Sequence, residues 1–211
     1  MRVVILISGR GSNMQALLEA EYGGVVEFCC VISNKADAAG LQVAAAHGVA
    51  TEVLEHRAFA DRASFDAALA QRIDAYQPDV VVLAGFMRVL TADFVRHYAH
   101  RLINVHPALL PAFSGLDTHA RALAAGVKLH GCTVHFVTPE VDAGPIIAQA
   151  AVPVLADDTP DSLAARVLRQ EHRIFPMVLR WLAQGWVNGN GRVNSVPMMP
   201  DAALVSPPLM D

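Results

Sequence analysis

The chain is poor in cysteine, which argues against a disulfide framework and against the common zinc modules. Only Cys29, Cys30 and Cys132 occur among 211 residues. Three cysteines at these spacings supply neither a set of bridges nor the ligand pairs that bind zinc. The adjacent pair lies in the apolar run "EFCCVIS", which favours reduced, buried thiols in a reducing compartment. We therefore expect no disulfide and no metal.

Positive charge is scarce too, and this argues against nucleic acid as a partner. The 16 Lys and Arg are outnumbered by 20 Asp and Glu, so the net charge is −4 and the pI is near 6.1. Proteins that bind nucleic acid usually carry a basic face or run, whereas this sequence has no run of Lys or Arg. We expect small molecules as partners, and a monomer or a weak homodimer.

Long hydrophobic runs are missing as well. The apolar start "MRVVILIS" is short and leads directly into "GRGSN", whereas a secretory signal needs a longer apolar core and a cleavage site. No run approaches the roughly 20 residues that span a bilayer. Apolar residues still make up 54% of the chain, which predicts a globular core and excludes a disordered chain. We expect a cytoplasmic protein without membrane contact.

What the sequence does contain is an alternation of short apolar runs with amphipathic segments. The runs "RVVILIS", "EFCCVISN", "TEVLE", "DVVVLAGF" and "RLINVH" predict strands buried on both faces, which is typical of a parallel sheet. Further on, "HGCTVHFVT" and "PIIAQAAVPV" are joined by a loop too short for a crossover, so we expect an antiparallel pair. The predicted fold class is α/β, with a doubly wound, mostly parallel central sheet, helices on both faces and an antiparallel extension in the C-terminal half.

The helices carry start and stop signals. Thr91 is suited to cap one helix, and Thr159 or Asp161 the long helix that Gly185 closes. Pro176 within that helix predicts a kink or a break. Without a repeat or a linker, residues 1–187 are expected to form one domain. Residues 188–211 are expected to form a weakly ordered tail, whose start "WVNGNGRV" (from residue 186) is compatible with a small hairpin.

The segment "SGRGSN", residues 8–13, follows the first strand and opens a helix. Free backbone N–H groups at a helix N-terminus, with the helix dipole behind them, form an anion site. Gly11 lets the backbone approach a phosphate, and Ser12 and Asn13 can cap the helix or donate to an oxygen. The alternative is a tight strand-to-helix turn without a ligand.

Two common phosphate motifs do not fit this segment. The dinucleotide fingerprint needs a third glycine where Met14 stands, and an acid at the end of the second strand, which ends Ser33-Asn34-Lys35. The Walker pattern fails because no Gly-Lys-Ser/Thr follows. A monophosphate or a small anion suits the loop better than NAD or ATP.

A second polar feature is the pair Asn104 and His106 in "LINVHPALLPAF". Residues two apart on a strand point to one face, here at the carboxyl end of the sheet. A protonated imidazole and a carboxamide N–H together suit an oxyanion in acyl transfer. A carboxylate beside the ring would stabilise its charged form, and Glu140 or Asp142 is a candidate that spacing alone does not bring there. The alternative is two satisfied polar groups at the end of a sheet.

Several motifs occur in register over residues 1–185: "ILISGRGSNMQAL", "VISNKADAAGL", "PDVVVLAGFMRVL", "INVHPALLPAF", "HGCTVHFVTPEVDAGPII" and "RVLRQEH". In these the chain closely resembles the phosphoribosylglycinamide formyltransferase (glycinamide ribonucleotide transformylase) family of folate-dependent formyltransferases. The resemblance implies transfer of a formyl group from 10-formyltetrahydrofolate, a cosubstrate, to the amine of 5′-phosphoribosylglycinamide in purine biosynthesis, without a metal. It also implies a phosphate-binding half, residues 1–100, and a catalytic and folate-binding half, residues 101–187.

The resemblance implies residue roles too. Asn104, His106 and Asp142 would be catalytic, and His135 would border the site and order the aspartate loop. The ribonucleotide would be held by Gly11, Ser12, Asn13, Gln170 and Glu171. The folate would be held by Arg62, Met87, Arg88, Val89, Leu90, Asn104, Thr138, Pro139, Glu140, Val141 and Asp142.

Three rival functions share some of these features. Formyltetrahydrofolate hydrolase has the same Asn-His-Asp set, but it would carry a further regulatory domain and lack "GSN". Formyl transfer to initiator tRNA would require an added C-terminal domain and a basic surface. A non-catalytic folate- or nucleotide-binding module would have no need of an intact catalytic set.

Overall fold

The computed structural model describes residues 1–193 as an alternation of strands and helices. The strands are β1 (Arg2–Ile7), β2 (Glu27–Ser33), β3 (Thr51–Val53), β4 (Val80–Leu83), β5 (Leu102–His106), β6 (Leu129–Phe136) and β7 (Ile146–Pro153). The helices are α1 (Ser12–Glu19), α2 (Gly40–Ala46), α3 (Arg62–Asp74), α4 (Ala92–His97), α5 (Thr118–Ala125) and α6 (Pro160–Ala183), with a single 3-10 turn described at His56–Ala58.

All seven strands described within residues 1–193 belong to one sheet, in the order β3-β2-β1-β4-β5-β6-β7. Strands β1 to β5 are parallel, β6 is antiparallel to β5, and β7 is antiparallel to β6. The predicted fold class, with its antiparallel extension, is confirmed. The strand order reverses between β1 and β4, and in open α/β sheets such a switch point leaves a ligand crevice beyond the strands.

Two hydrophobic cores cover the two faces of the sheet. One contains Ile5 of β1 and is covered by α1, α5 and α6, whose buried residues include Met14 and Phe175. The other contains Leu6 of β1 and is covered by α3 and α4, with Phe65 among its largest side chains. Successive residues of β1 therefore face different cores, which explains why the strand is apolar throughout.

The predicted helix signals agree with the structure in part. The Thr91 side chain accepts a hydrogen bond from the Phe94 N–H and caps α4. Thr159 and Ser162 form a capping box at the start of α6, an arrangement that typically stabilises a helix by about 1 kcal/mol. The expected break at Pro176 is absent, because α6 continues through this residue to Ala183.

Residues 187–193 form the small turn that the sequence allowed. Val187 and Val193 form an antiparallel bridge, and the Asn188 side chain accepts hydrogen bonds from two backbone N–H groups within the turn. The rest of the expected tail, residues 194–211, lies outside the described residues. Among the helices of residues 1–193, none is long and apolar enough to cross a bilayer.

Candidate active site

The loop after β1 folds as a close-packed turn around Gly11. This residue has φ 76°, a left-handed conformation that glycine adopts without strain. A Cβ at this position would lie 2.9 Å from the Cα of Gly40, and the Gly40 N–H donates to the Gly9 carbonyl at 3.0 Å. The loop therefore packs directly on the start of α2, and only glycine fits.

An open cleft of about 240 Å³ lies above this turn. Its lining consists of Ser8, Gly9, Arg10, Gly11, Ser12, Asn13, Ala84, Gly85 and Met87. The cleft combines the N-terminus of α1 with the exposed cation of Arg10, a residue that our sequence analysis did not name. Both features favour an anion. Ser12 and Asn13 do not cap α1, because its N-cap is Gly11 without a side-chain bond.

Asn13 connects the cleft to helix α6. Its Nδ2 donates to Oε2 of Glu171 in α6 at 2.6 Å, and its Oδ1 is buried without a partner. Glu171 is 6% exposed. Burial raises the pKa of the Glu171 carboxyl, an effect that the hydrogen bond from Asn13 opposes. Its neighbour Gln170 accepts a bond from Arg173 at 3.1 Å and is half-buried. Asn13 therefore lies between the cleft and a buried carboxyl, and it connects the phosphate loop to α6.

Asn104 and His106 on β5 lie at the same edge of the sheet as this cleft. Leu6 of β1, Leu83 of β4 and Asn104 of β5 are register partners across the three strands. Ser8 and His106 each lie two residues further along, at the carboxyl edge. Because β4 lies between β1 and β5, two inter-strand spacings separate Ser8 from His106, which is about 10 Å. A small molecule bound in the cleft can therefore extend over β4 toward Asn104.

Antiparallel pairing brings His135 to Asn104. The two residues are direct register partners on β5 and β6, and the Asn104 Nδ2 lies 3.4 Å from the His135 Nε2. His135 Nδ1 lies 2.8 Å from the Phe136 carbonyl, which fixes its proton on Nδ1 and leaves Nε2 to accept from Asn104. Burial lowers the pKa of His135, so the ring stays neutral. Asn104 retains a second amide proton for a ligand.

The loop after β6 folds back and places Asp142 beside these side chains. Since β6 runs antiparallel to β5, Phe136 lies opposite Ile103, away from the carboxyl edge. The loop must return for the Asp142 Oδ2 to lie 3.3 Å from His106 Nδ1. The other oxygen lies 3.8 Å from His135 Nε2. A Cβ on Gly144 would lie 1.8 Å from the Phe136 carbonyl, so this return requires glycine.

Both ring nitrogens of His106 face oxygen acceptors. Nε2 lies 2.9 Å from the carbonyl of Phe113, while Nδ1 faces the Asp142 carboxylate. Each ring nitrogen therefore has an acceptor for a proton, and a protonated ring would find both of its N–H groups facing an oxygen. The Gly115 N–H donates to Asp142 Oδ2 at 2.8 Å and holds the carboxylate in place. Together, the side chains of the site can stabilise an oxyanion and accept a proton; they are Asn104, His106, His135 and Asp142.

The family model for formyl transferase matches residues 1–179. The chain belongs to the formyl transferase family.

Among relatives of this formyl transferase, phosphoribosylglycinamide formyltransferase of Escherichia coli K12 is 53% identical over 88% of each chain. The trifunctional purine biosynthetic protein adenosine-3 of Bos taurus is 47% identical over 91% of this chain, which spans only 19% of that longer protein. Glycinamide ribonucleotide transformylase 1 of Symbiobacterium toebii matches in structure with a TM-score of 0.85 and 48% identity, over 88% of this chain and 89% of that one.

The residues expected to hold the folate lie on four segments of this formyl transferase, of which β5 with Asn104 is described above. Arg62 is exposed in the first turn of α3. Residues 87–90 follow β4, with Met87 70% exposed, Val89 exposed and Leu90 buried. Residues 138–142 form the returning loop, where Thr138 is half-buried, Pro139 and Glu140 are exposed, and Val141 is 56% exposed. Exposed apolar side chains at a sheet edge suit a flat aromatic ligand.

Arg88 adds positive charge to this surface. Its guanidinium lies over the Phe65 ring, 4.9 Å from the centroid, and its Nε is buried without a hydrogen bond. Because Nε is buried, it is the charge of the guanidinium, and not this donor, that favours a ligand with a carboxylate.

Besides Arg10, our sequence analysis did not indicate the backbone groups of residues 113–115. The Phe113 carbonyl and the Gly115 N–H contact His106 and Asp142. No sequence signal marks them, because every residue carries the same two groups.

Proposed function

We propose that the chain transfers the formyl group of 10-formyltetrahydrofolate to the amine of 5′-phosphoribosylglycinamide, giving the N-formyl ribonucleotide and tetrahydrofolate in purine biosynthesis. The observation that carries the proposal is the 3.3 Å contact between His106 Nδ1 and Asp142 Oδ2, beside Asn104 and at the same edge of the sheet as the anion cleft. The relatives named above bear the names of this activity or of purine biosynthesis.

We assign the ribonucleotide to the cleft over α1. Its phosphate would meet the backbone N–H groups of Gly11, Ser12 and Asn13, and Arg10 would add positive charge. Gln170 and Glu171 would lie along its sugar and glycinamide. The about 10 Å between Ser8 and His106 leaves room for a ribose between the phosphate and the reacting amine.

10-Formyltetrahydrofolate supplies the formyl group as a substrate. Residues that fit it are the exposed apolar side chains of 87–90 and 138–142, with Arg62 and Arg88 suited to a carboxylate. We assign it to this surface because the surface adjoins Asn104 and the ribonucleotide cleft through Met87.

Asn104, His106 and Asp142 have separate roles in the acyl transfer. The ribonucleotide amine attacks the formyl carbon, and negative charge develops on the formyl oxygen. The free amide proton of Asn104 donates to this oxygen, and the His106 imidazolium stabilises it by its charge. Asp142 keeps His106 protonated and accepts the amine proton, directly or through a water, and the proton passes to the leaving nitrogen. No side chain forms a covalent intermediate.

A turnover assay tests the proposal. The protein is mixed with 10-formyltetrahydrofolate, with and without phosphoribosylglycinamide, and folate absorbance is followed while mass spectrometry identifies the formylated ribonucleotide. We expect turnover only with both substrates. Turnover without the ribonucleotide would indicate a hydrolase, and no turnover in either mixture would indicate a binding module. We also propose that the protein is cytoplasmic and that it is a monomer or a weak homodimer.

A further inference from the structure

The Ser8 hydroxyl joins two loops that the proposed function assigns to different substrates. Ser8 is 4% exposed and lies where β1 ends and the phosphate loop begins. Its Oγ accepts a hydrogen bond from the Met87 N–H at 2.8 Å and donates to the Asn34 Oδ1 at 2.6 Å. Met87 is the first residue of the segment 87–90 assigned to the formyl donor.

The direction of these hydrogen bonds follows from the single proton of a hydroxyl. The Asn34 Oδ1 can only accept, so the Ser8 proton points toward it. A lone pair of Ser8 is then directed at the Met87 N–H. Asn34 is 3% exposed, and its Nδ2 lies 3.2 Å from the His56 Nδ1. The same His56 nitrogen also lies 3.0 Å from the Asn34 carbonyl, so the orientation of the amide follows from Ser8 itself. The Met87 N–H occupies a lone pair of Ser8, and the remaining Ser8 proton requires the Asn34 oxygen as its acceptor.

The backbone reinforces the same connection. The Ser8 N–H donates to the Gly85 carbonyl at 3.2 Å, and Ser8, Gly85 and Met87 all line the anion cleft. Met87 also presents a side chain that is 70% exposed to the surface assigned to the donor. One residue at the base of the cleft therefore contacts both loops.

We propose that Ser8 is a positioning residue that couples the ribonucleotide loop, residues 8–13, to the formyl-donor loop, residues 87–90. The inference rests on the proposed function. Ser8 holds the Met87 N–H while its own backbone begins the phosphate loop, so a substrate that orders one loop orders the other. By linkage, each substrate then lowers the apparent dissociation constant of the other by the same factor.

Ser33 offers a matched control on the neighbouring strand. It is 0% exposed at the end of β2, where it pairs in register with Ile7 of β1. Its Oγ donates to the Lys35 carbonyl at 2.8 Å and accepts from the Lys35 N–H at 3.1 Å. Ser33 thus has the same chemistry, burial and sheet edge as Ser8, but its hydroxyl closes only its own turn.

The experiment compares Ser8→Ala with Ser33→Ala by initial rates over a grid of both substrate concentrations. We expect Ser8→Ala to raise the KM of the formyl donor about tenfold, to leave kcat within about twofold, and to abolish the effect of each substrate on the KM of the other. Ser33→Ala should keep both KM values within about twofold. Equal kinetics in the two variants, with an active wild-type chain, would overturn the inference.

Hydrogen exchange in the free protein tests the coupling without turnover. The Met87 amide should exchange faster in Ser8→Ala and in Asn34→Ala, and at the wild-type rate in Ser33→Ala. The Asn34 variant breaks the network from outside the cleft and replaces the Ser8 variant if that one does not fold. A wild-type chain without turnover would overturn the proposed function, whereas unchanged exchange at Met87 would overturn the coupling itself.

Discussion

Two polar regions at one edge of the sheet are built in opposite ways. The anion cleft is formed mainly by six consecutive residues, 8–13, and offers backbone N–H groups at the start of α1. The cluster of Asn104, His106, His135 and Asp142 comes from β5, β6 and a returning loop, and it offers side chains. The first region is suited to hold an anion of constant charge. The second is suited to stabilise charge that appears and disappears during a reaction.

Their electrostatics differ accordingly. Burial raises the pKa of Glu171 beside the cleft, an effect that the hydrogen bond from Asn13 opposes. In the cluster, burial lowers the pKa of His135, while His106 Nε2 faces the Phe113 carbonyl and His106 Nδ1 faces the Asp142 carboxylate. Changes in the cluster should therefore act on kcat, and changes in the cleft on the KM of the ribonucleotide.

The largest effect is expected in the cluster. His106→Ala and Asp142→Asn should each lower kcat by at least about 10², because each removes part of the charge stabilisation. Steady-state kinetics with both substrates measure this. His97→Ala is the matched control. His97 also pairs with an aspartate, since its Nε2 lies 2.8 Å from Asp74 Oδ2, but this pair is exposed and lies away from the site. Near-full activity in a folded His106 or Asp142 variant would remove the proposed distinction between the regions.

The next largest effect should come from Gly11→Ala. The new Cβ would meet the Gly40 backbone at 2.9 Å in a left-handed conformation, so we expect a loss of roughly 1–2 kcal/mol or more in stability and at least tenfold weaker ribonucleotide binding. Thermal unfolding and KM values check both effects. Gly48→Ala isolates the conformational part, because Gly48 has φ 74° with nothing within 4 Å of a Cβ. Equal behaviour of the two variants would contradict a close-packed phosphate loop.

A smaller effect on ribonucleotide binding is expected for Asn13→Ala, together with a loss of stability because the buried Glu171 carboxyl loses its hydrogen bond from Asn13. It removes a donor at the cleft, so the KM of the ribonucleotide should rise about tenfold with little change in kcat. Gln15→Ala is the control on the same helix, since Gln15 is exposed and bonds only to Glu19 in its own helix. A fall in kcat with an unchanged KM would show that Asn13 acts in the chemistry rather than in binding.

The smallest effect concerns the pH dependence of stability. A carboxyl with a raised folded-state pKa stabilises the fold fully below its ordinary pKa of 4.5, and this contribution is lost as pH rises through the raised value. Glu171→Gln should thus gain stability relative to wild type as pH increases over that window. Thermal unfolding without ligand measures it, with the exposed Glu21→Gln as control. A difference that does not vary with pH would argue against a perturbed Glu171.

Much of the fold was predictable because its signals are local. Strands apolar on both faces and separated by helices indicate a covered parallel sheet wherever they occur. The Thr91 and Thr159 caps were predictable for the same reason, since capping depends on neighbouring residues. Of the kink or break expected at Pro176, the break is wrong, because the packing of α6 against the sheet outweighs the loss of one helical hydrogen bond. The kink stays a prediction.

The residues of the candidate site were predictable from the sequence to different extents. The phosphate loop and the shared face of Asn104 and His106 follow from glycine spacing and strand alternation. Gln170, Glu171 and the folate residues entered only through resemblance to a family. Arg10 and Ser8 were overlooked, although both stand inside the quoted loop, because no motif distinguishes them from ordinary turn residues.

By itself, the sequence determined the α/β alternation, the glycine turn at the end of β1 and the polar pair at the end of β5, because each depends on residues close together in the chain. Only the tertiary structure decided that Asp142 meets His106, 36 positions earlier, and that Asn13 meets Glu171, 158 positions later. Such contacts depend on the path of the returning loop and on the docking of α6. These are set by the packing of the whole sheet, and no local pattern records them.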